Sequence, residues 1–365
     1  MQQKKREIAF DLIRAMAIIL MIEGHTVDVF LSDVYRNESN FFFQLWTTIR
    51  GFTAPFFMIT AGAVYTFLLY KKGDEIDQNR LQKGFKRGFK LLIVGYLLRF
   101  PSFNPYQLFK IEQFQWNTFS TVDALHIIGL GLITINLIYY IERKIRISLI
   151  AIYSIFTLLF WLGMLVNPFI ASFDFPFMLR AYFTRELGTI FTLFPWVGFL
   201  TFGSIIGLLV RDGHFVRSKS IFKIMGITLT ILAINTAIFH LYYKMNYDFY
   251  LIIQRASFVV FIFTIFFLLE KNLKRDFSKL AILGRKSLLI YVVHLFILYG
   301  SPISLGFYQV VPHSLSLGWV VVAVLIMEIS MISLALNIDK KLSSEEFYGK
   351  IYKYKPEFKF GRKRI

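Results

Sequence analysis

The chain contains no cysteine, which excludes disulfides, thiolate nucleophiles and thiolate-bound metal. Of its six histidines no two stand three or four residues apart, so a metal centre is not expected either. Glycine-rich phosphate cradles and nucleophile elbows are missing, and with them the usual signs of a nucleotide-binding loop or a serine hydrolase. No linker, low-complexity run or clear internal repeat interrupts the pattern, which argues against an inverted-repeat transporter. The opening Met-Gln-Gln-Lys-Lys-Arg leads into a long span without a small-residue cleavage site, and is expected to remain attached as a signal anchor.

What is present is mostly apolar. With 365 residues, 56% hydrophobic and 18% aromatic, and a mean hydropathy of +0.56, the chain is too apolar for a soluble domain. Repeated runs of about 20 residues predict an all-α, polytopic integral membrane helix bundle. Ten transmembrane spans are expected at about 8–30, 42–70, 89–109, 122–141, 147–168, 188–210, 221–243, 250–270, 280–300 and 316–338. Residues 1–338 then form a single transmembrane domain, followed by a basic cytoplasmic tail at 339–365.

The formal charge of +18 has a distribution that explains it. With the N-terminus inside, thirty of the 41 Lys and Arg residues lie in or beside inner segments and five in outer loops. That is the positive-inside pattern of a chain with both termini in the cytoplasm. Topology therefore accounts for the basic charge, no nucleic acid is expected as a partner, and the tail from Lys340 to Arg364 is left to meet anionic lipid of the bilayer. The outer loops at 102–121 and 168–187 are rich in aromatics, among them Tyr106, Trp116 and Tyr182, which serve either as interface anchors or as stacking surfaces for a sugar.

The first span carries Asp11, Arg14, Glu23 and His25. Each ionisable group costs about 2.5–3.5 kcal/mol at mid-membrane, so each needs a partner or a task. Eleven helical positions make nearly three turns, which puts Arg14 and His25 ~20° apart on one face and ~16 Å apart along it. A guanidinium near one membrane surface and an imidazole near the other suit the two ends of one long, anionic-headed molecule, and the pantetheine arm of coenzyme A has that reach. Depth measured from the span ends puts Glu23, His25, Arg50, Asp123, His126, His240, Arg255 and His294 in the outer half, with Arg99 and Glu328 near the midplane. Asp11 and Arg14 fall in the inner half, beside Arg87, Lys90, Arg285 and Lys286. An outward-opening polar cavity with a cationic inner vestibule is the economical arrangement.

His25 is the expected general base, since a neutral imidazole suits that task near pH 7. Glu23 is expected to pair with Arg50 rather than to act chemically. Asp123 and His126, three apart, are either a base and its orienter or a satisfied polar pair. His240 is expected to be structural, and Arg99 and Arg255 are interhelical donors or anion ligands. Pro55, within Arg50-Gly-Phe-Thr-Ala-Pro-Phe-Phe57, is expected to kink its helix, while Gly62 marks a kink-lined channel or close packing.

Several stretches together resemble the transmembrane acyltransferase superfamily, in particular bacterial relatives of the heparan-α-glucosaminide N-acetyltransferase catalytic domain. They are Asp11-Leu-Ile-Arg14 with Gly24-His25-Thr26, Arg50 to Gly62, Val122-Asp-Ala-Leu-His-Ile-Ile-Gly129, Phe194-Pro-Trp-Val-Gly-Phe199, and Leu283-Gly-Arg-Lys-Ser-Leu-Leu-Ile-Tyr-Val-Val-His294. The spacing of Arg14 and His25 also resembles the signature of bacterial O-acyltransferases of surface polysaccharides, whose Arg-x-x-Arg stands here as Arg87-Gly-Phe-Lys90. The resemblance implies acyl transfer, usually of acetyl from cytoplasmic acetyl-CoA, to a sugar hydroxyl or amine across a bacterial cytoplasmic (inner) membrane. It also implies that Arg14 holds the donor and His25 works at the transfer centre.

The expected arrangement is then acyl-CoA with its phosphates near Arg87, Lys90, Arg285 and Lys286, its arm along the Arg14/His25 face, and Arg50 or His126 steadying the oxyanion. The acceptor is an extracytoplasmic sugar or polysaccharide, no metal takes part, and assembly as a homo-oligomer is left open. The alternative is a proton-coupled transporter or flippase for an anionic solute, with Arg14, Arg50 and Arg255 on the cargo and His25 or His294 relaying protons.

Overall fold

The computed structural model describes residues 7–71, 75–185, 188–215, 217–241, 247–272 and 277–343. The helices that build the bundle are α1 (Ile8–Phe30), α2 (Phe41–Arg50), α3 (Thr53–Leu69), α4 (Gln78–Leu98), α5 (Ala124–Ile145) and α6 (Leu149–Leu162). They continue as α7 (Leu193–Arg211), α8 (Ser218–Leu241), α9 (Tyr247–Asn272), α10 (Ser278–Arg285), α11 (Ser287–Tyr299) and α12 (Leu317–Ser343). Short helices, Pro105–Leu108 and Gln113–Ser120 among them, fold the loop between α4 and α5. No strand forms among the described residues; the pairings Leu31–Leu315, Tyr70–Ile76 and Ser301–Ser304 are isolated bridges.

α1 is the axis of the bundle. It packs on α3, α9, α10, α11 and α12. Ala9, Phe10, Ile13 and Ala17 belong to the larger core, shared with α3 and α5 to α9, while Ala15, Ile18, Ile22 and Val29 belong to a second core built with α10 to α12. Its first amides are satisfied from a distance: Ile8 and Ala9 N–H donate to the two carboxylate oxygens of Glu270 on α9, at 3.0 and 2.8 Å. A carboxylate there meets both the unpaired donors and the positive end of the helix.

Among the described residues seven helical stretches are long and apolar enough to cross a membrane, or eight if the bent pair α10–α11 is one span, against the ten expected. α1, with Asp11, Arg14, Glu23 and Asp28 in 23 residues, and α4, with its basic first turns, fall outside that measure. The span expected at 89–109 is displaced: α4 starts at Gln78, where Asp77 accepts from Arg80 N–H at 3.2 Å, and ends before Phe100-Pro101. Hydropathy alone misses this start because the first turns are cationic, and a residue before proline disfavours helix.

The kink assigned to Pro55 is also corrected. The helix breaks at Gly51–Phe52, and Pro55 sits in the first turn of α3, where its missing N–H removes no helical bond. Gly62 serves close packing: a Cβ there would overlap the backbone of Leu200 on α7, and Gly203 meets Ile59 in the same way. A bend of 73° separates α10 from α11, so that α11 brings Tyr291, His294 and Tyr299 towards the outer end of α1.

Candidate active site

His25 lies near the C-terminal end of α1. Its Nδ1 is 3.1 Å from the Tyr299 hydroxyl, and that hydroxyl donates to Asp28 Oδ2 at 3.2 Å. Asp28 Oδ1 is paired with Arg50 at 3.1 Å. An ionised carboxylate only accepts, so Tyr299 gives its hydrogen to Asp28 and takes one from His25 Nδ1. The imidazole is thereby held as the Nδ1–H tautomer, with the Nε2 lone pair left for chemistry. His25 is part-exposed, whereas His126 and His294 are both 0% exposed.

Arg50 reaches Asp28 by crossing α1 at Gly24, where a Cβ would come 3.3 Å from Arg50 Cγ. Its expected partner Glu23 instead accepts from Trp46 Nε1 at 2.5 Å, and the Arg50 guanidinium lies 5.3 Å from the Trp46 ring centre. Asp28 stands three residues after His25 and so shares its side of the helix, while Glu23 points elsewhere.

Asp123 is the N-cap of α5, accepting from Leu125 N–H at 2.8 Å. His126 Nδ1 lies 3.1 Å from both the Asp123 backbone N–H and its carboxylate Oδ1, so the pair is built as a reciprocal helix cap. Arg99 Nε approaches the same carboxylate at 3.8 Å and its guanidinium also donates to Thr121, which makes it an interhelical donor. The Tyr291 hydroxyl reaches Asp123 Oδ2 at 3.5 Å, and its ring lies 5.8 Å from that of His294, itself 5.4 Å from His25. His25, Arg50, Asp123 and His126 thus belong to one connected outer cluster. Arg255 lies against the α2–α3 break next to Arg50: a Cβ on Gly51 would sit 3.4 Å from its Nη2, and its guanidinium is 5.7 Å from the Trp196 ring centre. The His240 side chain and the tail beyond Ser343 lie outside the described residues.

The His126 ring occupies the space left by Gly95 on α4, where a Cβ would sit 2.6 Å from His126 Cε1. Gly95→Ala is expected to displace the imidazole and to destabilise the fold by about 1–3 kcal/mol, the usual cost of overpacking. Thermal unfolding of the purified protein in detergent checks this; an unchanged midpoint contradicts it.

Towards the N-terminal end of α1 a cavity of about 100 Å³ is lined by Arg14, Arg80, Lys83 and Arg87 with Tyr65, and the Asp11 carboxylate lies 4.0 Å from Arg14 Nη1. Arg80, Lys83 and Arg87 recur at helical spacing on α4, and Tyr65 is held over them by a hydrogen bond to Asn136. Three expected members are elsewhere. Lys90 lies on another face of α4 with Phe85, Phe89 and Ile93. Arg285 and Lys286 flank the α10–α11 bend and pair with Asp339 on α12 at 3.5 and 3.3 Å.

Arg14 lines this cavity and His25 does not. Ile18 and Met21 lie buried between them on α1, and a separate apolar layer joins Leu91, Leu125 and Leu132 to Ile128 and Leu288. Tyr65 borders this apolar layer from the inner side and Tyr291 from the outer.

Over residues 7–335 the chain matches the model of a protein family described as an acyltransferase domain. It belongs to this acyltransferase family. The match takes in the cationic cavity, the His25 cluster and the apolar layer, and it favours acyl transfer over transport of an anionic solute. No curated protein matches the chain. For an acyltransferase, the inner cations, the apolar layer and the oriented imidazole are the groups that need roles. Four of these residues, Asp28, Tyr299, Arg80 and Lys83, were not among the site residues expected from sequence. Helical spacing from His25 and from Arg87 could have pointed to Asp28, Arg80 and Lys83; nothing local could have pointed to Tyr299, 274 residues from His25.

Proposed function

We propose that this acyltransferase moves an acyl group, acetyl in the first instance, from cytoplasmic acyl-CoA to a hydroxyl or amine of an extracytoplasmic glycan. The supporting observation is the pairing of a cationic cavity at one end of α1 with an oriented, part-exposed imidazole at the other. Arg14, Arg80, Lys83 and Arg87 offer charge and donors to the phosphates of the donor, which supplies the activated thioester. The apolar layer suits a thin, uncharged arm.

His25 Nε2 takes the proton of the acceptor hydroxyl or amine as that atom bonds to the acyl carbon. The carbon–sulfur bond breaks, and His25 returns the proton to the departing thiolate, so the imidazole ends neutral. Tyr299 and Asp28 keep Nδ1 protonated throughout. Arg50, which keeps N–H groups beyond the one paired with Asp28, or His126 steadies the oxyanion. Under this reading α1 and α4 also cross the membrane, giving ten spans, both termini face the cytoplasm, and the membrane is the bacterial cytoplasmic one.

Inverted vesicles containing the protein, given labelled acetyl-CoA, are expected to place label on glycan enclosed within the vesicle. Uptake of a solute without labelled glycan contradicts the proposal.

A further inference from the structure

His294 ends the Leu283–His294 stretch and has no part in the reaction as described above. Its Nδ1 lies 2.8 Å from the backbone carbonyl of Ile290. A carbonyl only accepts, so Nδ1 carries the hydrogen and Nε2 presents a bare lone pair. That Nε2 is buried and has no hydrogen-bond partner among the described residues. A buried acceptor without a donor is destabilising, and such atoms tend to mark sites that a ligand completes.

The neighbours of His294 say which ligand. Its ring lies 5.4 Å from the His25 ring and 5.8 Å from that of Tyr291, whose hydroxyl is turned to Asp123. Both imidazoles have Nδ1 committed, to Tyr299 in one case and to Ile290 in the other, so both keep Nε2 as an acceptor. A metal would need further ligands, and no group of three or more His, Asp or Glu is arranged to hold one among the described residues. Two neutral acceptors side by side instead match a molecule with two donor hydrogens on neighbouring atoms, as in a vicinal diol or an amino alcohol.

We infer that His294 is a second substrate-facing imidazole of the transfer centre: its Nε2 accepts a hydrogen bond from the group beside the hydroxyl or amine that His25 deprotonates. This rests on the acyl-transfer reading. It makes the acceptor class one with adjacent donors.

The test uses the full chain in membrane vesicles, with labelled acetyl-CoA as donor and the vesicles' own glycan as acceptor. H294L is expected to lower label transfer at least 50-fold while acetyl-CoA binding stays within twofold. H294Q, whose amide reaches the Nε2 position, is expected to recover at least tenfold over H294L. L298A, on the same side of α11 one turn away, measures a pure packing defect and is expected to lose less than fivefold. Transfer by H294L at the unsubstituted rate overturns the assignment, as does an equal loss in H294L, H294Q and L298A. An unsubstituted protein that binds acetyl-CoA and labels no glycan overturns the acyl-transfer reading and this assignment with it.

Discussion

His25→Ala is expected to lower acyl transfer by about 10³-fold or more, at the upper part of what a positioned general base contributes. The protein should still insert and still bind acetyl-CoA, because the cationic cavity is formed by α1, α3, α4 and α5 without help from the imidazole. Tyr299→Phe is the finer probe. It removes the hydroxyl that holds Nδ1 but leaves the ring packing, so it should cost about tenfold, well short of the loss from removing the base itself. Labelled-product rates beside donor binding separate these effects. Residual activity of His25→Ala within tenfold of the unsubstituted protein would remove His25 from the proton path.

The second large effect is expected at the inner surface. Replacing Arg80, Lys83 or Arg87 singly by Gln should raise the donor KM about tenfold, the value of one modest charged hydrogen bond, and the triple replacement should raise it more than hundredfold. Lys90→Gln should stay within twofold, because Lys90 lies on another face of α4. This contrast separates the structure from the spacing of the family motif, which points to Arg87 and Lys90. Equal losses at Lys83 and Lys90 would mean that diffuse surface charge, rather than the cavity, attracts the donor.

Much of this arrangement was legible in the residues. Ionisable groups in an apolar chain are few, and helical spacing groups several of them as the structure does: His25, Arg50, Asp123 and His126 meet in one cluster, and Arg14 meets Arg87 at the cavity. What spacing could not supply was the partner across helices. Glu23 and Asp28 are both near Arg50 in sequence terms, and only the path of the Arg50 side chain over Gly24 decides for Asp28. Tyr299 was invisible because its hydroxyl is indistinguishable from any interface tyrosine until the α10–α11 bend carries it to α1.

The inner vestibule was over-counted for a related reason. Depth alone groups Lys90, Arg285 and Lys286 with Arg14, but depth says nothing about direction around a helix, and Asp339 lies too far along the chain to be recognised as the partner of two of them. Leu91, Leu125 and Leu132 each read as ordinary membrane residues, and only their meeting with Ile128 and Leu288, in touch with both Tyr65 and Tyr291, shows that they form one apolar layer.

On the proposed reading the donor passes this apolar layer for the thioester to reach His25. The direct measurement is a cryo-electron microscopy map of the protein with a ketone analogue of acetyl-CoA that cannot be cleaved. The account predicts phosphate density among Arg14, Arg80, Lys83 and Arg87, with Leu125, Ile128 and Leu288 parted and the acyl end within hydrogen-bonding reach of His25. An analogue whose acyl end remains on the inner side of an unbroken apolar layer, or which binds away from α1, would contradict it.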